Sequence, residues 1–405
     1  MRVLIVSQYF HPEVFRINQL AALLKTGGHE VVVLTAQPNY PSGRFFPGYS
    51  AFGPTKEVYE GVEVLRVPIF PRGRGRSWEL VLNYLSFVFF AIVFGIPRLR
   101  GRFDVCVAWC SSPITIAVPA IVYRFLTRTP VAIWVQDLWP ETFFAVTKKK
   151  NAQLSRALST LVRWIYKNVD QIWIQSQAYV PSVKAHGGRE DQIEFVPNWA
   201  ENLYDRARWQ AVEKDHLPPN SLLFAGNLGR AQGLETIIEV IELLKKDKLE
   251  VNWVLLGEGT LKPWLTEEVS RRGLSDRVHF LPRRPPSEMP KALSAATGVL
   301  VTLGHDPVYA MTIPSKVQSC LAAGRPILAA LAGEPARVVQ EAGAGLVAAP
   351  ENAQEFAKVV KDFFALPEKE RSEMGARGHR YYSAHFTQDK VVTRIVELLE
   401  KMGHQ

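Results

Sequence analysis

Short apolar runs alternate along this chain with stretches whose apolar positions recur every three or four residues. The first pattern is that of buried strands, the second that of helices with one face on a core. In the amino-terminal half the runs fall at Arg2–Val6, Glu30–Leu34, Val62–Val67, Asp104–Trp109, Val131–Gln136 and Gln171–Ile174. A short strand in IEFVPN closes that half near Asn198. The loop SQYFHPEVFR, a helix to about Lys25 and the pair Gly27-Gly28 join the first two runs into a β-α-β unit. The pattern restarts near Ser221, with strands predicted at Ser221–Gly226, Val251–Gly257, Val278–Leu281, Gly298–Thr302 and Pro326–Ala330. Helices are predicted at Leu234–Lys246 and Leu261–Arg272. Near-continuous apolar strands imply parallel sheets covered on both faces. The expected fold class is α/β, with two doubly wound, Rossmann-like domains facing a cleft. Residues 1–200 form the first and 201–384 the second, with a charged, then proline-rich linker at about Ala200–Pro219. Residues 385–405 supply a last helix that packs back on the first domain.

One run breaks this rhythm. Leu80 to Ile96 is 17 residues of almost unbroken apolar sequence, the short end for a membrane span. The strands VEVLRV and DVCVAW flank it and read as neighbours in one sheet, whereas a single crossing puts them on opposite sides of a bilayer. Arg72, Arg74 and Arg76 precede the run and Arg98, Arg100 and Arg102 follow it. Basic flanks hold a helix to anionic lipid. The expected partner is therefore an anionic membrane surface, with the helix at 80–96 lying in the interface. Burial in a core or protein contact, and a re-entrant or spanning helix, are the competing readings.

Charge agrees with an anionic partner: the net charge is +9 and the pI about 9.4. Lys148, Lys149 and Lys150 form a third basic cluster. No nucleic-acid-binding signature accompanies these residues, so no nucleic acid partner is expected. The three cysteines, Cys106, Cys110 and Cys320, are too few and too odd for a disulfide frame and indicate a reducing compartment. Without a ligand cluster around them, Cys106 and Cys110 read as small buried hydrophobes and no metal site is expected. No cleavable signal peptide is evident, since RVLIV is short and runs straight into a loop.

The candidate chemistry sits at strand ends. In YAMTIPSKVQSCLAAGRPILAALAGEPARVVQEAGAG, from Tyr309 onward, a helix opens at Pro314-Ser315-Lys316. Its first amides lack intrahelical partners and suit a phosphate, and Lys316 is unwelcome in a first turn unless an anion is near. Gly226, Asn227, Gly229, Arg230, Gln232 and Gly233 follow one strand, and Gly257, Glu258 and Gly259 follow the next. Ligands of such sheets bind beyond the carboxyl ends of the strands. Neither loop is a GxGxxG fingerprint, so a dinucleotide is not implied. Gly226 and Gly229 let the backbone approach a diphosphate, with Asn227 or Arg230 assisting, and Glu258 is placed to hold a ribose hydroxyl. A tight strand-to-helix turn uses glycine in any case.

Taken in order, these segments resemble glycosyltransferase family 4, retaining transferases of the GT-B fold. YFHPE through GHEVVVLT resembles the family's opening unit; FAGNLGRAQGLETII, LLGEGTLK, VHFLP and IPSKVQSCLAAGRPILAA resemble its donor domain. QDLWPE and PNWAEN are similar to a bacterial fucosamine transferase-like subgroup of O-antigen, capsule and colanic acid synthesis. Departures accompany the likeness. Met311 and Ser319 stand where the family has two glutamates, and Gly226-Asn227 with Gln232-Gly233 replace its arginine–lysine phosphate grip. Ser111, Ser112 and Asp137 occupy loops where a histidine is common.

The resemblance implies a nucleotide-sugar donor on the second domain, retention of configuration, no cofactor and no metal. Lys316 and the helix amides are expected to stabilise the leaving nucleotide, with base contacts near Arg284 and a sugar or ribose contact at Glu334. Asp137 and Glu141 flank Trp139-Pro140 directly after a strand. Asp137 is the candidate to orient or deprotonate the acceptor, with Glu141 beside it; a helix cap is the plainer role for such an Asp. His11, Arg16 and Trp139 are the candidate acceptor contacts. The expected acceptor is an undecaprenyl-diphosphate-linked sugar at the cytoplasmic face of the plasma membrane, and other polysaccharide-synthesis enzymes are further partners. A sugar-nucleotide epimerase on this fold and a non-catalytic membrane scaffold are the alternatives.

Overall fold

The structure is a computed structural model that describes residues 1–147, 151–208 and 215–404. The Lys148–Lys150 cluster lies outside the described residues, as does part of the linker at 209–214. Contacts divide the chain into two compact units, Met1–Pro197 with Val392–Gln405, and Asn198–Val391.

The first unit holds eight strands: β1 (Arg2–Val6), β2 (Glu30–Ala36), β3 (Lys56–Tyr59), β4 (Val62–Val67), β5 (Val105–Cys110), β6 (Val131–Val135), β7 (Gln171–Ile174) and β8 (Ile193–Phe195). They lie in the order β3-β4-β2-β1-β5-β6-β7-β8. Among the described residues only the β3–β4 pair of this sheet is antiparallel. Its helices are α1 (Arg16–Thr26), α2 (Ser77–Phe90), α3 (Ala117–Thr127), α4 (Glu141–Thr147), α5 (Ala152–Lys167) and α6 (Val180–Ala185). Every residue of β5 and β6 is buried, as expected of central strands covered on both faces. Cys106 and Cys110 are free and buried within β5. The strands flanking the apolar run, β4 and β5, share one sheet but are not neighbours as the sequence suggested, because β2 and β1 lie between them.

The apolar run forms a longer helix than its composition suggested. Past α2 the backbone continues through a π-type turn at Ala91–Gly95 and a 3-10 turn at Ile96–Arg98, giving 22 helical residues from Ser77 to Arg98. Its polarity is inverted. The inward face includes Asn83, Ser86, Phe87, Ala91 and Gly95. Asn83 Nδ2 donates to the Phe70 carbonyl at 2.6 Å and Oδ1 accepts from Gln8 Nε2 at 2.8 Å, while Ser86 Oγ accepts from the Phe70 N–H at 3.1 Å. Trp78, Leu85 and Phe89, at 62 %, 57 % and 56 % exposure, face outward. A soluble surface helix has the opposite arrangement.

The second unit has six parallel strands: β9 (Ser221–Ala225), β10 (Asn252–Leu256), β11 (Val278–Leu281), β12 (Gly298–Thr302), β13 (Ile327–Ala330) and β14 (Gly345–Ala348), in the order β11-β10-β9-β12-β13-β14. The helices are α7 (Leu234–Lys246), α8 (Lys262–Arg271), α9 (Met289–Ala295), α10 (Pro307–Met311), α11 (Ser315–Ala322), α12 (Gly333–Glu341), α13 (Ala353–Ala365) and α14 (Glu368–His385). Alternation along β9 sends Leu222 and Phe224 into a core with α7 and α13, and Leu223 into a second core with α11, α12 and Tyr382 of α14. A last helix, α15 (Gln388–Gly403), carries the chain back to the first unit, where Arg394 pairs with Glu194 of β8 at 2.9 Å.

In each sheet strand order reverses once beside the first strand of the unit, between β1 and β5 and between β9 and β12. The connections leave in opposite directions there and open a crevice at the carboxyl ends of the strands. Both candidate sites lie at these points.

Candidate active site

In the second unit the glycine loops after β9 and β10 interlock through their backbones. Gly226 N–H donates to Leu256 O at 3.0 Å, Leu228 N–H to Glu258 O at 2.9 Å and Leu261 N–H to Leu228 O at 2.9 Å. A Cβ on Gly257 would lie 1.9 Å from the Gly226 oxygen, and one on Gly259 would lie 2.3 Å from the Leu228 oxygen. Only glycine permits this approach, and Gly257 also has φ +152°.

Lys316 enters this backbone cradle from α11. Pro314 is the N-cap rather than the first helical residue, and among the described residues no side chain caps the helix. Lys316 Nζ lies 3.0 Å from Gln232 Oε1 and 3.5 Å from the centre of the Phe224 ring, and a Cβ on Gly226 would lie 3.3 Å from it. Among the described residues no carboxylate pairs with this amine. Burial therefore pulls its pKa down to about 7. An amine held in this way gains most from an anion brought to it.

A cavity of about 180 Å³ opens after β12, lined by Leu303, Gly304, His305, Asp306, Tyr309 and Ala310 among others. Gly304 N–H donates to Ala231 O at 3.0 Å, and Thr302 Oγ1 to Gln232 O at 2.6 Å, so the cavity wall is tied to the loop that meets Lys316. The sequence reading did not single out His305, Asp306 or Tyr309. The signal was their position directly after β12.

Other candidate donor residues have internal partners. Glu258 is exposed and pairs with Lys262 at 2.6 Å. Glu334 is buried in the first turn of α12, where Arg337 grips both its oxygens at 2.9 and 2.6 Å. Arg284 is bound to Asp215. Asn227 and Arg230 are exposed on the β9 loop; Gln232 and Ser315 stand beside Lys316, and Gly229 and Gly233 bracket the short turn at Arg230–Gln232.

In the first unit the reversal point gathers the loops after β1, β5 and β6 around Ser112. Tyr9 Oη donates to the Ser112 carbonyl at 3.1 Å, and Trp139 Nε1 donates to Ser112 Oγ at 3.0 Å. The Ser112 hydroxyl bonds the Asp137 carboxylate. Burial nevertheless pushes Asp137 up to about 6, within the range of a useful general base. Arg72 Nη1 closes the chain by donating to Tyr9 Oη at 2.6 Å.

Glu141 lies apart from this network. Its Oε1 accepts from the Ser182 hydroxyl, and its buried Oε2 has no hydrogen-bond partner among the described residues. His11 stacks on Tyr59 with ring centres 4.5 Å apart, and Arg16 bonds Gln19 at 3.2 Å. Sequence reasoning missed Glu13, which is buried and accepts N–H bonds from Phe10, Asn39 and Tyr40 at 3.1, 2.8 and 2.7 Å. Burial raises its carboxyl to about 7 against the pull of those amides. It fastens the loops after β1 and β2 together.

Two known families match successive parts of the chain. Residues 14–199 match the Glycosyl transferase 4-like domain, and residues 205–381 match Glycosyl transferases group 1. The protein is a glycosyltransferase of the GT-B fold. This glycosyltransferase is 25% identical over 312 residues to a protein of Pseudomonas aeruginosa named as the glycosyltransferase WbjE, covering 73% of this chain and 75% of that one. It is 26% identical over 350 residues to WcaI of Escherichia coli, named as a colanic acid biosynthesis glycosyl transferase, covering 80% and 82% of the two chains. The fold matches Anabaena HepE, solved with UDP-glucose, with a TM-score of 0.66 at 15% identity over 99% of this chain and 100% of that one.

Proposed function

We propose that this glycosyltransferase moves a sugar from a nucleotide sugar to a saccharide carried on a polyprenyl diphosphate, in the synthesis of a bacterial surface polysaccharide. The observation that carries the donor side is Lys316, a desolvated amine with no carboxylate partner among the described residues, set against the Gly226 backbone at the reversal point of a parallel sheet. Breaking the bond between sugar and diphosphate builds negative charge on the leaving nucleotide. An ammonium and fixed helix amides at that place stabilise the transition state more than the ground state. The printed names of WbjE and WcaI support a polysaccharide pathway, and HepE, solved with UDP-glucose, supports a nucleotide-sugar donor.

The acceptor belongs to the first unit in this proposal. Asp137, oriented by Ser112, holds or deprotonates the acceptor hydroxyl, and Trp139 packs beside it. The outward apolar face of α2 and the exposed arginines that flank it, Arg74, Arg76, Arg98, Arg100 and Arg102, rest the enzyme on the cytoplasmic face of the plasma membrane, where the lipid-borne acceptor resides. Retention of configuration, an undecaprenyl carrier and a fucosamine-type donor follow from the family resemblance. No metal or cofactor enters the proposal, and the sequence has no DxD pair.

The test is a panel of sugar nucleotides offered with lipid-diphosphate-linked acceptors and read by mass spectrometry. Glycosylated lipid with release of nucleoside diphosphate supports the proposal. Conversion of a nucleotide sugar without acceptor would replace it with an epimerase.

A further inference from the structure

Arg72 precedes α2 and is the end of the Ser112 chain that the transfer chemistry leaves unexplained. Its guanidinium carbon lies 5.9 Å from the Tyr9 ring centre, 5.3 Å from that of Tyr40 and 5.7 Å from that of Tyr84. Its described side-chain hydrogen bonds run to the hydroxyls of Tyr9 and Tyr84. A guanidinium offers about five N–H donors and keeps its charge at every working pH. Among the described residues no carboxylate neutralises it. The loop is fixed by the Arg72 N–H bond to Asn39 Oδ1 at 3.1 Å. Aromatic faces hold a cation without consuming its hydrogen-bonding edge. The remaining donors, in the planar fork geometry of arginine, match a phosphate.

Tyr84 lies on α2, directly before the outward-facing Leu85. The polar cage and the apolar outer face are thus built on the same two turns of helix. We propose that Arg72, caged by Tyr9, Tyr40 and Tyr84, seats the phosphate or diphosphate of the lipid-borne acceptor, whose hydrocarbon runs along the outer face of α2. This rests on the acceptor assignment above. The bond from Arg72 through Tyr9 to Ser112 then connects acceptor seating with the loop that orients Asp137.

The test uses the full chain without nucleotide sugar, so it does not depend on turnover. Geranyl diphosphate, inorganic pyrophosphate, an uncharged geranyl glycoside and vesicles of anionic phospholipid are each tried as protectants of Arg72 against phenylglyoxal, read by peptide mass spectrometry. Geranyl diphosphate is expected to protect at least tenfold, pyrophosphate less, and the uncharged glycoside not at all. The same protection is expected in Lys316→Met, which removes the other anion seat. Arg72→Gln is expected to bind geranyl diphosphate at least tenfold more weakly while retaining vesicle binding. Equal protection by the uncharged glycoside overturns the proposal, as does protection by phospholipid vesicles alone. So does loss of protection in Lys316→Met. If the seat is confirmed but no panel acceptor is glycosylated, the transfer reading fails and the anion site stands.

Discussion

Each unit of this molecule ties a cation to its strand-order reversal, without a carboxylate partner among the described residues, and the two are held by opposite means. Lys316 is set against glycine backbone, one glutamine and a phenylalanine face. Arg72 is set among three tyrosines. A lysine so placed can shed its proton, and burial brings its pKa to about 7. An arginine cannot. The charge of Lys316 is therefore conditional on an anion, while that of Arg72 is permanent. A leaving group whose charge grows during the reaction is served by the first kind of site. A phosphate that only anchors a substrate is served by the second.

Removing the conditional charge should have the largest effect. Lys316→Met should lower kcat/KM for transfer by about 10²–10³ in a steady-state assay, as expected for loss of a charge-stabilising donor. The same substitution should stabilise the fold. The lysine's folded pKa lies below its unfolded value of 10.5, so the stability it costs builds as pH falls from about 10.5 to about 7 and stays constant below that. A thermal melt at pH 6 should show Lys316→Met more stable by about 1–3 kcal/mol. A less stable and fully active variant would erase the distinction between the two cations.

On the arginine side, Asp137→Asn should reduce transfer by about 10², the lower end for general acid–base groups. In the wild type, activity should fall as pH drops through about 6, because the needed carboxylate becomes protonated there. That acid limb should vanish in the variant. If the limb persists, Asp137 is structural.

Next in size, Gly257→Ala should destabilise by about 1–3 kcal/mol, measured by urea unfolding, because the added methyl meets the Gly226 oxygen. The lysine site rests on backbone contact, and an unaffected Gly257→Ala would show that this contact is loose. The smallest effect on the fold is expected from Leu85→Asp with Phe89→Asp. Both positions are more than half exposed, so Tm should change little while binding to anionic vesicles in a flotation assay falls at least tenfold. Collapse of the fold instead would show the outer face of α2 to be core.

The strands were legible because parallel strands covered on both faces are apolar at every position, as in β5 and β6. β3 escaped notice because it is an antiparallel edge strand with two exposed residues in KEVY, and β14 because its four residues are mostly half-buried. The inward face of α2 was written into the run itself. Asn83 and Ser86, three apart, interrupt it and bond the protein, as does the hydroxyl of Tyr84 between them. Lys316 announced itself through its proline and first-turn position. Gln232, 84 residues away, was named from its glycine loop and not as the partner of that amine. Ser112 could not be ranked above any other loop serine, since its partners Trp139 and Tyr9 are 27 and 103 residues distant. Such contacts arise from strand order, which local pattern does not encode.

The central claim is that the donor's diphosphate, on binding, makes the amine of Lys316 take up a proton from solvent and become charged. Calorimetric titration of the accepted nucleotide sugar at pH 8, in buffers of different ionisation enthalpy, measures the protons taken up on binding. Uptake approaching one proton per site in the wild type, and none with much weakened binding in Lys316→Met, is the predicted result. Equal affinity in the two proteins with no proton uptake in either would contradict it.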